Sequence, residues 1–161
     1  MGYPNENDWR ARAANAGVDD VMVFTGRVPY EQMPRMLALG DIAVAPKLSL
    51  TEGSGKILNY MALGLPTVAF DTPAQREILG ALGVYAPLGD SAALAAQVRD
   101  LAERPHRRAE LGEQLRQRVR QHFSWERAAA TLMTVYGQIM RPPRTIASKP
   151  VAADPLSAED R

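Results

Sequence analysis

The apolar positions of this chain follow two periods, and the alternation between them lays out its elements. Short continuous apolar runs stand at 21–24 (VMVF), 42–46 (IAVAP), 67–70 (TVAF) and 84–87 (VYAP), the form taken by strands covered on both faces. The segments between them carry apolar residues at helical spacing. Asn5–Ala16 sets Trp9, Ala13 and Ala16 on one side, with Gly17 as its stop. Residues 30–40 set Met33, Met36 and Leu37 on one face, which requires Pro34 to lie in the first turn. A helix from about Ser54 ends at Gly64, before Pro66, with Ile57, Leu58, Met61 and Leu65 inward and Lys56, Asn59, Tyr60 and Leu63 on another face. Thr72, Pro73 and Gln75 read as a capping box that opens a short helix to Leu79. Three helices close the pattern: Ser91 to about Glu103, about His106 to His122, and Ser124 to Met140.

Strands of four or five apolar residues separated by helices specify an α/β domain, a doubly wound parallel sheet with helices on both faces, here with a C-terminal helical extension. Residues 1–140 make up the domain. Residues 141–161 hold four prolines and no period, and read as a disordered tail. The chain opens with a helix where such a unit ordinarily opens with a buried strand, so the first strand is expected upstream of residue 1. Sheets of this kind place ligands at the carboxyl ends of their strands, where loops lead into helices. The loop after the strand at 42–46 is such a place.

That loop and its helix read TEGSGKILNYMALGLPTV, residues 51–68. The GSGK within it is not a Walker A loop, because the leading glycine would fall on Leu50 and the magnesium-binding hydroxyl on Ile57. A Gly-Ser-Gly turn at a helix start is nonetheless suited to an anion, since helix N-termini offer unpaired N–H groups and about half a positive charge. Gly53 and Gly55 allow close approach, Ser54 can cap the helix or donate to a phosphate oxygen, and Lys56 stands where a cation disfavours the helix but favours a diphosphate. Asn59, one turn on, is a poor interior helix former and suits ribose hydroxyls. Glu52 is better fitted to accept from sugar hydroxyls than to touch phosphate. The plain alternatives are ordinary loop punctuation for the turn, solvated surface positions for Lys56 and Asn59, and an exposed loop carboxylate for Glu52.

Composition narrows the classes. At 161 residues the chain suits one domain on a prior of roughly 100–200 residues. Its net charge of +1 gives no field that would favour nucleic acid. Cysteine is absent, which removes disulfides and thiol catalysis. No His, Cys or carboxylate cluster has metal spacing, and no Ser/His/Asp order appears. His106 and His122 fit surface or packing roles. No run approaches the ~18 apolar residues of a membrane span, so the expected location is cytoplasmic.

The stretch from residue 2 to 139 resembles the C-terminal, donor-binding domain of family 4 (group 1) glycosyltransferases. The resemblance is carried by the Phe24-x-Gly26 strand end, ALGDIAVAP, NYMALGLPTV and FSWERAA. It implies one Rossmann-like half of a GT-B fold and transfer from a nucleoside-diphosphate sugar with retention at the anomeric carbon, with no metal or other cofactor. The acceptor would be held by a missing N-terminal domain, in cis or on a separate chain, which also allows a peripheral position at the inner face of a membrane. On this resemblance Gly53, Ser54, Gly55 and Lys56 hold the diphosphate. The family commonly carries two glutamates eight positions apart, the second on ribose. Asn59 stands at the second, counting back eight places lands on Thr51, and Glu52 takes the first glutamate's catalytic place only in a loop one residue shorter. The chain alone is then an inactive or weak donor-binding half. The competing class is a non-enzymatic or degenerate α/β nucleotide-sugar-binding or interaction module. On the last helix, Trp125, Leu132, Val135 and Tyr136 are candidates for exposed apolar surface.

Overall fold

A run such as TVAF has no polar face to turn to solvent, so it must be enclosed, and it forms the middle of the sheet. The computed structural model describes residues 5–140. Strands β1 (Ala43–Ala45), β2 (Thr67–Phe70) and β3 (Val84–Ala86) are parallel in the order β1-β2-β3. Ala45 pairs with Ala69 and Ala69 with Tyr85, while Val44 pairs with Val68 and Val68 with Val84. Because side chains alternate across a strand, these two rows point to opposite faces and nucleate two cores.

The first core joins Ala45 and Ala69 to Ile57, Tyr60 and Met61 of α3 (Lys56–Ala62), Leu79 of α4 (Pro73–Leu79) and Leu115 of α6 (Pro105–His122). The second joins Val68, Phe70, Val84 and Ala86 to Leu94 and Leu101 of α5 (Ser91–Ala102). Helices therefore cover both faces, the doubly wound arrangement of one GT-B half. Tyr60 is buried with the inward stripe, not on the polar face with Asn59, because its ring fills the space between α3 and the sheet.

The helix starts and stops follow local chemistry. Ahead of β1 lie α1 (Glu6–Asn15) and α2 (Met33–Leu37). At the end of α3 the Leu65 N–H donates to the Tyr60 carbonyl (2.9 Å) and Gly64 N–H to Met61 (3.0 Å), with Gly64 at φ +71°, a Schellman turn that a side chain would strain. Helix α6 then fastens three of its neighbours. Arg116 Nη2 donates to the Leu63 carbonyl beyond α3 (3.1 Å), Arg118 to the Ile78 and Glu77 carbonyls of α4 (2.8 and 3.0 Å), and Arg108 to the Leu101 and Ala102 carbonyls of α5 (2.8 and 2.5 Å). Each puts a cation on the negative end of a helix dipole.

Three expectations are corrected. Residues 21–24 form no strand: Asp19–Val21 is a 3-10 turn, Met22 is extended, and Val21 and Val23 are 75% and 85% exposed. Among the described residues no ladder partner meets this segment, and an apolar run without one gains neither hydrogen bonds nor burial. On α1 only Ala13 is buried and Trp9 is half exposed. The capping box at α4 is half made: Thr72 Oγ1 accepts from Gln75 N–H (3.3 Å), but the Gln75 amide reaches elsewhere.

The chain divides after Ser124. The second unit, taken by itself, contains α7 (Trp125–Ile139), an amphipathic helix with no buried residue in which Trp125, Leu132, Val135 and Tyr136 are exposed. The expected tail, 141–161, lies outside the described residues.

Candidate donor site

The site begins where β1 ends. Pro46 and Lys47 leave the sheet, and the next eight residues lead to α3. Lys47 is fixed at both ends. Its carbonyl accepts from Nε2 of Gln75 (3.2 Å), a side chain only 1% exposed. Its Nζ donates to Glu52 Oε2 (2.9 Å) and to the Gly53 carbonyl (3.2 Å). Glu52 N–H in turn donates to Ser49 Oγ (3.2 Å). The hydrogen bond from Lys47, and then its charge, hold the Glu52 carboxyl below its ordinary pKa, so at neutral pH it is an anion that accepts hydrogen bonds and does not donate a proton.

The turn itself differs in detail from its sequence reading. The N-cap of α3 is Gly55, at φ −53° and ψ −28°, and no side chain caps the helix. Ser54 is 6% exposed and does not cap. Neither Gly53 nor Gly55 has positive φ. What Gly55 supplies is room, since a Cβ there would meet nothing within 4 Å. The Ser54 carbonyl accepts from Ile57 N–H (2.9 Å) and the Gly55 carbonyl from Leu58 N–H (3.2 Å), while the N–H groups of Ser54, Gly55 and Lys56 meet no acceptor among the described residues. Lys56 is exposed and makes no ion pair there. By contrast α4 and α5 open on side-chain caps, Thr72 and Asp90.

Asn59 lies one turn further along, exposed, on the wall of a cavity of about 220 Å³ between α2 and α3. Tyr30, Met33, Pro34 and Leu37 form the other wall, with Ala62 and Leu63 beside Asn59. The structure thus places Glu52, Gly53, Ser54, Gly55 and Lys56 in one loop and turn, and Asn59 in an apolar groove beside it. Lys47, Gln75 and Tyr30 were not singled out by sequence reasoning. Lys47 follows a strand end, a signal that could have found it, whereas Gln75 was absorbed by a plausible capping role.

Among the described residues no group of three His, Cys, Asp or Glu side chains is placed to hold a metal ion, and no helix is long and apolar enough to cross a membrane. At the end of β2, Arg76 forks onto Asp71 (2.5 and 2.6 Å) and lies over the Tyr85 ring at 4.5 Å.

The pattern of the family described as glycosyl transferases group 1 matches residues 1–104, which is most of the first unit and all of this site. The chain belongs to the group 1 glycosyltransferases. It is 32% identical over 127 residues to the MMP alpha-(1->4)-mannosyltransferase of Mycolicibacterium hassiacum, covering 76% of this chain and 30% of that protein. It is 29% identical over 138 residues to the phosphatidyl-myo-inositol mannosyltransferase of Mycobacterium leprae, covering 84% and 36%. The chain thus spans about a third of the length of these curated relatives. Among solved structures, sucrose-phosphate synthase from Thermosynechococcus elongatus matches 83% of this chain and 34% of its own, with a TM-score of 0.75 at 22% identity, a likeness of fold. In this glycosyltransferase chain, the loop from Lys47 to Gly55 stands at the carboxyl end of β1, where an open α/β sheet binds ligands.

Proposed function

We propose that this chain is the donor-binding half of a retaining glycosyltransferase, one that takes its sugar from a nucleoside-diphosphate sugar. The observation that carries the reading is the open start of α3, with the unmet N–H groups of Ser54, Gly55 and Lys56 together in the turn that Lys56 follows into the helix. The diphosphate lies there. The nucleoside lies in the groove between α2 and α3, with its base against Tyr30, Met33 and Leu37 and its ribose hydroxyls on Asn59. Glu52, held ionised by Lys47, accepts from sugar hydroxyls and opposes the positive charge that grows on the anomeric carbon.

In the reaction the bond from the anomeric carbon to the diphosphate oxygen breaks and its electron pair leaves with the diphosphate. An acceptor hydroxyl then forms the new bond and passes its proton to the departing diphosphate oxygen. The turn's fixed N–H groups and Lys56 stabilise the leaving charge, with no reorganisation needed as it forms. No metal is required. The acceptor is held by a second Rossmann-like domain, in cis or on a separate chain, so this chain alone transfers no sugar at a measurable rate.

Thermal unfolding of the 161-residue chain with UDP, GDP and ADP tests the reading. At a hundredfold excess over Kd one of them is expected to stabilise by about 2.7 kcal/mol, roughly 5–10 °C. No shift with any would sink it. Release of nucleoside diphosphate from a nucleotide sugar by the isolated chain with glycan or lipid acceptors would overturn its inactivity. A second reading, a degenerate binding module, is favoured by Asn59 standing where the family carries a charged ribose ligand. It predicts nucleotide binding with no transfer even when an acceptor domain is supplied.

A further inference from the structure

We infer that Lys47 is a positioning residue: anchored to the first turn of α4 through Gln75, it fixes both the carboxylate of Glu52 and the peptide that follows it, so that the sugar-binding group arrives oriented. This deepens the donor reading and rests on it. The geometry is a chain of three links. Gln75 is buried on α4 and donates to the Lys47 carbonyl (3.2 Å), so the backbone at 47 is pinned to the first turn of that helix. The Lys47 side chain, 29% exposed, is well packed, whereas its partner Glu52 is 74% exposed. The ammonium is the fixed member of the pair, and the carboxylate is the one being held.

The third link is the peptide between Gly53 and Ser54. Lys47 Nζ donates to the Gly53 carbonyl (3.2 Å), and in a planar trans peptide the C=O and the following N–H point opposite ways. Binding that carbonyl therefore aims the Ser54 N–H away from Lys47. One ammonium sets two directions, that of an acceptor for hydroxyls and that of a donor for an anion.

An unheld glutamate on a loop samples many rotamers, and immobilising such a side chain costs conformational entropy. The Lys47 pair meets that cost before a ligand arrives. An exposed ion pair contributes little to folding, so Lys47→Met, which keeps the packed stem, leaves the fold intact. Lys47 is the charged group that faces Glu52, and Lys56 makes no ion pair among the described residues.

The test compares wild type, Lys47→Met and Lys47→Arg in the 161-residue chain by NMR, first without ligand. In wild type the Glu52 carboxyl carbon is expected to titrate below the ordinary range and the Ser54 amide to behave as rigid backbone. In Lys47→Met the titration returns to the ordinary range and the Ser54 order parameter falls below about 0.6, with the thermal midpoint nearly unchanged. Lys47→Arg recovers both. An unaltered titration and amide in Lys47→Met overturns the inference. A second arm measures the midpoint shift given by UDP-glucose, GDP-mannose and ADP-glucose beyond that given by the matching diphosphate. Lys47→Met is expected to lose the sugar's share, on the order of tenfold in affinity, and to keep most of the diphosphate's. Equal loss of both makes Lys47 a general anion contact and overturns the positioning role. If no nucleotide shifts wild type, the donor reading fails, while the ligand-free NMR still decides whether Lys47 positions the loop.

Discussion

Helices α3, α4 and α5 are finished alike at one end and unlike at the other. At their C-terminal ends a single helix, α6, supplies each with a charged donor, Arg116, Arg118 and Arg108 in turn. At their N-terminal ends the treatment is unequal. Thr72 closes α4 and Asp90 closes α5, but α3 opens on Gly55 with no side chain on its first N–H groups. Every helix end leaves several backbone groups unpaired, so the question is where a fold leaves them so. Here the satisfied end is the one packed by α6, and the unsatisfied end lies in the loop beyond β1 where an anion would arrive. On the proposed donor reading, stability and binding belong to different ends of the same helix.

The strongest way to break that comparison is at Gly112. This buried glycine of α6 faces the Gly64 carbonyl so closely that a Cβ would overlap it, and Gly64 is locked at positive φ in the turn ending α3. Gly112→Ala is expected to cost about 3 kcal/mol as an overpacked contact, lowering the thermal midpoint by roughly 6–12 °C. An unchanged midpoint would mean that α6 is not the rigid support of α3. Arg118→Met should cost less, about 1.5 kcal/mol for its charge-assisted bonds to two partly exposed carbonyls. In both variants the affinity for whichever nucleoside diphosphate binds wild type should change less than twofold. A loss of binding that tracks the loss of stability would show that the two ends are not separable.

How far the sequence reaches depends on which end is being read. Thr67–Phe70 was legible as a strand because three consecutive apolar residues after a β-branched threonine leave no face for water, and Gly64 was legible as a stop because the turn needs its positive φ. Residues 21–24 have the same apolar character and form no strand, because a strand is a relation to a neighbour that one segment does not encode. The candidate residues were legible as a stretch, Glu52 to Lys56 with Asn59 a turn away. The contacts that shape it were not. Gln75 reaches back 28 positions to Lys47, and Tyr30 reaches Asn59's groove from another helix start. Such contacts are set by the packing of α4 and α2, which local pattern does not reveal. Ser54 illustrates the same limit, since its residue type suits a cap while the fold buries it and passes the N-cap to Gly55.

A smaller change sharpens the comparison by closing the open end. Gly55→Asp puts a carboxylate where a side chain meets no neighbour within 4 Å, at backbone angles any residue adopts. Negative charge in a first turn is worth about 0.3–1 kcal/mol, so the variant should be slightly more stable than wild type. It should also lose diphosphate binding, because the added charge occupies the anion's position. Gain of stability with loss of binding is the signature of an end left open for a ligand. A variant that binds as wild type does would remove the anion from this turn.

The smallest effect is in acid, and it reaches both strand ends. Hydrogen bonding from Arg76, partly opposed by burial, holds the Asp71 carboxyl below its ordinary pKa, as Lys47 does for Glu52. A carboxyl whose pKa is depressed by folding contributes stability that is fully present above its unfolded pKa and is lost as pH falls through the folded one. Both pairs therefore weaken the fold progressively as pH falls below the ordinary carboxylate range. Both are exposed, so the loss is slight and screened by salt. Asp71→Asn should lower the midpoint a little at neutral pH, and its difference from wild type should shrink on acidification and in 1 M salt. Melting curves across this pH range at two salt concentrations decide it. A difference that grows as the pH falls would mean that the fold favours the protonated carboxyl, so that Arg76 does not hold Asp71 as an anion, and the bidentate pair over Tyr85 would then be incidental to the strand end it closes.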